Sequence, residues 1–171
     1  IVETSNELER MDMGSYSGII LGLPLDTKER FLKSVKDLIA ARIKKVVVFS
    51  LMILPGARLG DIKQRQEFGF DINYRVLPRS YGTYRWGQEN YSITEIEKVA
   101  VGNKTLTKDD YLFCREFSLI LTIFYNDRIL RPLLNVLESQ GIDIFDFVCY
   151  LHENLTQAPR DLTEFIAELQ N

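Results

Sequence analysis

The 171-residue sequence predicts an α/β protein: a strand–helix–strand half followed by an all-helical half, with a boundary near residue 103. Residues 16–23 and 46–54 are short runs with apolar side chains at both odd and even positions. That pattern marks strands covered on both faces, as parallel strands are. The segment between them carries apolar residues at helical spacing, and a helix joining two such strands makes a right-handed βαβ crossover. After residue 103 amphipathic segments follow one another with caps and turns between them and no strand pattern.

Taken in order, residues 1–13 are polar, with weak helical character from Asn6 to Met13. Tyr16 to Leu23 is the first strand, ended by Pro24. Asp26 or Thr27 caps the helix, with Glu29 three residues beyond Asp26 as in a capping box. Phe31, Leu32, Val35, Leu38, Ile39 and Ile43 form its buried stripe, and Lys44 and Lys45 complement its negative end. The second strand, Val46 to Leu54, is broken by Pro55-Gly56. Arg58 to Phe68 reads as a thinly amphipathic helix. Residues 69–90 are irregular, with a short strand at Tyr74 to Leu77. Glu95 to Val101 alternates as a strand and closes in a Gly102-Asn103 turn.

Thr107, with Asp110 three residues on, caps a strongly apolar helix over Tyr111 to Tyr125. Ile129 to Ser139 forms another helix, with Pro132 in its first turn and Gly141 as its stop. Asp143 to Leu155 and Pro159 to Leu169 complete the series. The chain holds no internal repeat and no low-complexity tract.

Composition narrows the function classes. Hydrophobic residues make up 46% and charged residues 26%, which supports a real core. A net charge of -3 offers no general attraction for nucleic acid or an anionic membrane. The longest apolar run, Val46 to Leu54, falls short of the ~20 residues a bilayer requires. No signal-peptide pattern opens the chain, so a cytoplasmic location is expected. An opening at Ile1 rather than Met reads as a piece of something longer. Cys114 and Cys149 lie in apolar helical patterns and read as reduced core thiols. With one histidine, His152, and no Cys-x2-Cys pair, no metal-ligand spacing is present. His152 reads as a surface or helix-end residue. Arg75, Arg79, Tyr84, Arg85 and Trp86 interleave cations with aromatics, a pattern that suits stacking on a planar ligand or substrate. The same aromatics also read as pins holding a loop to the core.

Two motifs carry a family resemblance. Gly18-Ile19-Ile20-Leu21-Gly22-Leu23-Pro24, followed by Asp26-Thr27, resembles the fifth strand of radical S-adenosylmethionine enzymes. Val46 to Gly56, ending Leu-Met-Ile-Leu-Pro-Gly, resembles the sixth strand and its loop. Tyr125-Asn126, after a long apolar helix, resembles the C-terminal region of the family's cobalamin-binding branch. The resemblance covers the first 60 residues or so well and the helical part loosely. It implies a βαβ piece of a partial TIM-like (β/α) barrel, in which a 4Fe-4S cluster reduces S-adenosylmethionine to a radical that abstracts hydrogen. It also implies that Gly18, Ile20, Gly22, Leu23, Pro24 and Asp26, with Ser50, Leu51 and Met52, border the S-adenosylmethionine pocket. Glycines at 18 and 22 leave room for a ligand or a neighbouring backbone. The sequence departs from the pattern at Asp26, where Glu is usual, and at Leu25, where Gly is common. Asp26 reads equally well as an N-cap.

The family's cluster is held by a Cys-x3-Cys-x2-Cys loop, and this chain has only two cysteines, neither in such a motif. The expectation is therefore the C-terminal part of a radical enzyme, inactive alone, whose partner is the N-terminal part of the same protein. Cobalamin is compatible with this reading but not required by it. Strand edges left by a missing half-barrel favour self-association of the piece. The competing reading is a non-catalytic module whose helical half docks a partner protein. Neither reading calls for nucleic acid or a membrane.

Overall fold

The computed structural model describes residues 14–126 and 130–169, together with Glu7 and Met11. The expected helix over residues 6–13 and the Ile129 start of a later helix lie outside the described residues. Strand β1 (Tyr16–Leu21) pairs in parallel with β2 (Lys45–Ser50), from Tyr16 opposite Lys45 to Leu21 opposite Ser50. Helix α1 (Lys28–Ala40) makes the crossover. Its N-cap is Thr27, whose hydroxyl accepts from the Arg30 amide, so the expected box of Asp26 with Glu29 does not form. The helix stops three residues before Ile43, where Arg42 turns left-handed at φ 57°. Lys44 and Lys45 therefore lie beyond its end rather than in its last turn.

The sheet is covered on one face only. Leu21, Val46 and Val48 pack beneath α1, whose Phe31, Val35 and Ile39 are buried. On the opposite face Tyr16, Gly18, Ile20 and Phe49 are exposed, and Val47 is half-buried. Two-sided apolarity thus predicts a second cover that the described residues do not supply. Among them the sheet has two strands, and the outer edge of β1 pairs with none.

The next segment departs most from the sequence reading. A 3₁₀ turn (Arg58–Gly60) and α2 (Ile62–Phe68) replace the single expected helix. A long antiparallel ribbon follows, β3 (Asp71–Trp86) and β4 (Glu89–Gly102), joined at Gly87-Gln88. Residues 69–90 read as irregular because Pro78, Gly82 and adjacent polar residues break the alternation. The ladder shifts register between Val76 and Tyr81, where Arg79 takes φ 66°. An irregularity of that kind lets a strand continue past residues that oppose regular pairing. At the ribbon's base Met52 bridges Val99, and the Ala100 amide bonds the Leu51 carbonyl at 2.9 Å. Leu51, Ile53 and Ala100 form a small second core there.

Helices α3 (Lys108–Phe124), α4 (Arg131–Ser139), α5 (Ile144–Glu153) and α6 (Arg160–Leu169) complete the chain. Thr107 caps α3 as expected, accepting from the Asp110 amide at 3.1 Å. The Thr107 hydroxyl also bonds the Asp110 carboxylate, which with Lys28 holds that carboxyl below its usual range. One core runs through Leu21, Val46, Phe117, Leu121, Leu134 and Val148, so side chains from both sides of residue 103 pack together. The fold is mixed α/β, with a small parallel sheet, a separate antiparallel ribbon and no closed barrel among the described residues.

Candidate functional site

The loop at the C-terminal end of β1 is braced by side chains from two sides. Gly22 takes φ 94°, a conformation that favours glycine, and Leu51 Cβ and the Ala100 carbonyl stand 3.9 and 3.6 Å from where its Cβ would be. The Gly22 amide donates to Asp26 Oδ2 at 3.2 Å, and the Thr27 amide to Asp26 Oδ1 at 3.1 Å. Asp26 thus closes the five-residue loop onto its own start, while Thr27 does the helix capping. Leu25 sits between them at φ 65°, a left-handed conformation unfavourable for a branched side chain.

Asn103 closes the loop from the ribbon side. Its amide nitrogen donates to the carbonyls of Gly22 (3.2 Å) and Leu23 (3.0 Å). Its Oδ1 accepts from the amides of Thr105 and Leu106 at 2.9 and 3.0 Å. The Thr105 hydroxyl reaches the Asp26 carbonyl at 2.6 Å. In the sequence Asn103 reads only as part of a Gly-Asn turn, and its bonds to residues 22 and 23 come from the fold. The Gly-Asn-x-Thr order, in which an Asx side chain bonds the backbone two residues on, was the available signal.

The other expected cofactor-pocket residues divide. Gly18 and Ile20 share the uncovered face of the sheet, but the Phe49 ring lies over Gly18, with Cε2 3.2 Å from where a Cβ would stand. The missing side chain at Gly18 therefore accommodates a ring from the neighbouring strand. Leu23 is exposed and Pro24 half-buried at the loop's surface. Ser50 faces the helical side, its hydroxyl 2.8 Å from the Tyr111 hydroxyl, both residues buried. Leu51 is buried in the small core under the ribbon, and Met52 stays largely exposed on its bridge to Val99.

The Arg/aromatic group lies on the ribbon rather than in a loop folded onto the core. Arg75 is ion-paired with Glu97 across the strands. Arg79 is at the register shift, and Arg85 donates through Nε to the Gly87 carbonyl at 3.3 Å. Tyr84 stands opposite Tyr91 with its ring over Gly82, and Trp86 at the tip is 80% exposed. At about 3.3 Å per residue, Tyr91 lies roughly 30 Å along β4 from Ala100, the strand's neighbour to Gly22. The structure does not bring the tip together with the Gly22 loop.

Neither cysteine offers a ligand to this region. Cys114 is buried on α3 and Cys149 half-buried on α5, both free, and burial pushes the Cys114 thiol up to about 12. No group of three or more His, Cys, Asp or Glu that would hold a metal occurs among the described residues. His152, expected at the surface or at a helix end, stands in the last turn of α5 with its side chain largely buried. Its ring meets Phe113 edge-on at 4.5 Å, and Nε2 is 3.5 Å from Glu116 Oε2 without an aligned hydrogen bond. Burial lowers its pKa, against the opposing pull of Glu116.

No described helix is long and apolar enough to cross a membrane. No protein-family model matches the chain, and a search of curated proteins finds no match.

Proposed function

We propose that this chain supplies the last two strands and the C-terminal region of a radical S-adenosylmethionine enzyme, as a piece of a partial (β/α) barrel. The observation that carries the reading is the one-sided sheet. Two parallel strands joined by α1 present an apolar face and the open edge of β1, which further strands of a barrel would cover and pair. Gly18 and Ile20 share that face by their alternation along the strand, and Gly22 begins the turn that follows it. The loop from Gly22 to Asp26, braced by Asn103, sits at the strand's C-terminal end, where parallel α/β folds place ligands.

The residues present fit part of an S-adenosylmethionine site and none of a cluster site. Ile20 and Leu23 would form one wall beside the Phe49 ring that covers Gly18, with Gly22 and Asp26 shaping the loop rather than touching ligand. Ser50 and Leu51 are engaged elsewhere and contribute less than the resemblance implies. The thiolate ligands would come from the N-terminal part, and a 4Fe-4S cluster held there would supply the electron that cleaves S-adenosylmethionine. Tyr125 and Asn126 bond Ile43 and Val46, which accounts for that pair without cobalamin.

The coding sequence upstream of Ile1 tests the reading. A Cys-x3-Cys-x2-Cys motif in the same frame is expected, and a complete upstream frame without one overturns it. The isolated chain is expected to show no appreciable heat on titration with S-adenosylmethionine, because most of the pocket lies outside it.

A second reading is favoured by the ribbon. Trp86, Tyr81, Tyr84 and Ile93 are all at least half exposed, which suits an interaction module that docks a partner. Sedimentation velocity separates the two: self-association that disappears when the upstream part is co-expressed supports the barrel, and a stable monomer favours the module.

A further inference from the structure

A cavity of about 450 Å³ opens beside β2, on the far side of the sheet from β1, between the ribbon base, α3 and α6. Its volume lies within the range of small-molecule sites. One face of α3 lines it. Lys108, Tyr111, Arg115, Ser118 and Thr122 recur there at spacings of three and four, which place them along a single helix face. The apolar walls come from Val48, Val101, Leu119 and Phe165.

Three features give this cavity a preference. Its lining includes two cations and no carboxylate, and neither Lys108 nor Arg115 forms an ion pair among the described residues. Ser118 is only 7% exposed, yet its hydroxyl finds no partner among the described residues; the bond from Thr122 goes to the Ser118 carbonyl instead. The hydroxyl is open to the cavity that Ser118 lines and is free to donate there. The third feature is the strand edge. Both backbone groups of Val46 point away from β1 and are met by Asn126. Backbone groups alternate in direction along a strand, so those of Val48 point the same way, toward the cavity that Val48 lines. No described group pairs with them.

We propose that this cavity binds a small organic anion, a carboxylate or phosphate carried on a short apolar body. Arg115 would take the anionic group, with its planar fork suited to either oxyanion. The Ser118 hydroxyl and the Val48 amide add uncharged donors, and Lys108 supplies a second positive charge at the mouth. The apolar walls receive the body. The site stands apart from the Gly22 loop and does not depend on the barrel reading.

The test titrates the isotopically labelled 171-residue chain with hexanoate, hexyl phosphate, hexan-1-ol and inorganic phosphate, following the methyl resonances of Val48, Val101 and Leu119. At least one of the two hexyl anions is expected to saturate these shifts, and which one binds tighter identifies the head group. Hexan-1-ol and inorganic phosphate are each expected to bind at least tenfold more weakly. Arg115→Gln is expected to raise Kd about tenfold and Ser118→Ala a few-fold, while Lys33→Gln, on the distant surface of α1, leaves it unchanged. Both lining variants are checked for native methyl dispersion. Absence of saturable shifts with either hexyl anion overturns the proposal. So does hexan-1-ol or inorganic phosphate binding as tightly as the hexyl anions, or an Arg115→Gln chain that stays folded and binds unchanged.

Discussion

The side chain of Asn126 bonds both backbone groups of Val46: Oδ1 accepts from the amide at 2.8 Å, and the amide nitrogen donates to the carbonyl at 2.6 Å. The carboxamide stands where a neighbouring strand would be, 80 residues away in sequence. It closes the edge of β2 at its start, and the Tyr125 hydroxyl ties the preceding turn through the Ile43 carbonyl at 2.6 Å. A strand edge capped this way is closed to pairing with other chains at that point.

Replacing Asn126 with Ala leaves an amide and a carbonyl without partners in a partly buried place. Two lost hydrogen bonds at roughly 1 kcal/mol each give an expected loss of about 2 kcal/mol, read as a lower urea midpoint at unchanged m-value. Asn126→Asp is expected to fall short of full rescue, since a carboxylate accepts from the amide but repels the carbonyl.

Leu25 tests the bracing of the Gly22 loop from a different side. Its φ of 65° is unfavourable for any side chain and worst for a β-branched one. Leu25→Gly relieves the strain but gives the unfolded chain more freedom, for a net gain of about 0.5 kcal/mol. Leu25→Val is expected to lie at least ~1 kcal/mol below the glycine variant, because its branched carbon meets the backbone directly. Thermal melts of the three chains order them. Equal stabilities would show that the loop relaxes out of the left-handed conformation.

His152 sets a pH dependence whose sign follows from its burial. The folded state holds its pKa below the ordinary value, so the unfolded chain binds the proton more readily. Its contribution to stability is complete above about pH 6.5, declines as pH falls from there through the folded-state pKa, and is flat below. His152→Phe, which keeps a ring against Phe113 and Phe117, is expected to remove that slope. The difference between the two pH profiles isolates the effect from the carboxylates. A wild-type slope identical to the variant's between pH 5 and 7 would contradict it.

Trp86 is the sole tryptophan and reports on the ribbon alone. At 80% exposure it is expected to emit like a hydrated indole and to be quenched by acrylamide almost as efficiently as in the denatured chain. Strong protection that weakens on dilution would mean that the ribbon is covered by a second copy.

The sequence by itself determined the elements that depend on local periodicity and capping. The Thr107 cap of α3 and the Gly141 stop of α4 rest on residues within a few positions of one another, and the three elements of the β1–α1–β2 unit are each marked by their own periodicity. Short-range steric and hydrogen-bonding preferences are enough to specify these. The ribbon was not legible beyond the Glu95–Val101 stretch and a few residues around Tyr74. A strand gains its hydrogen bonds from a partner, and the register shift at Val76–Tyr81 hides the alternation that would have announced it. The candidate site divides the same way. The glycines and Asp26 stand out through the family resemblance, but not that Asp26 bonds Gly22 while Thr27 caps the helix. Asn103, Tyr111 and Asn126 act on groups 61–81 residues away, and such pairings exist only once the chain has folded. Tertiary structure alone decided which sheet face stays bare, because that depends on what packs against it and not on the strands' own composition.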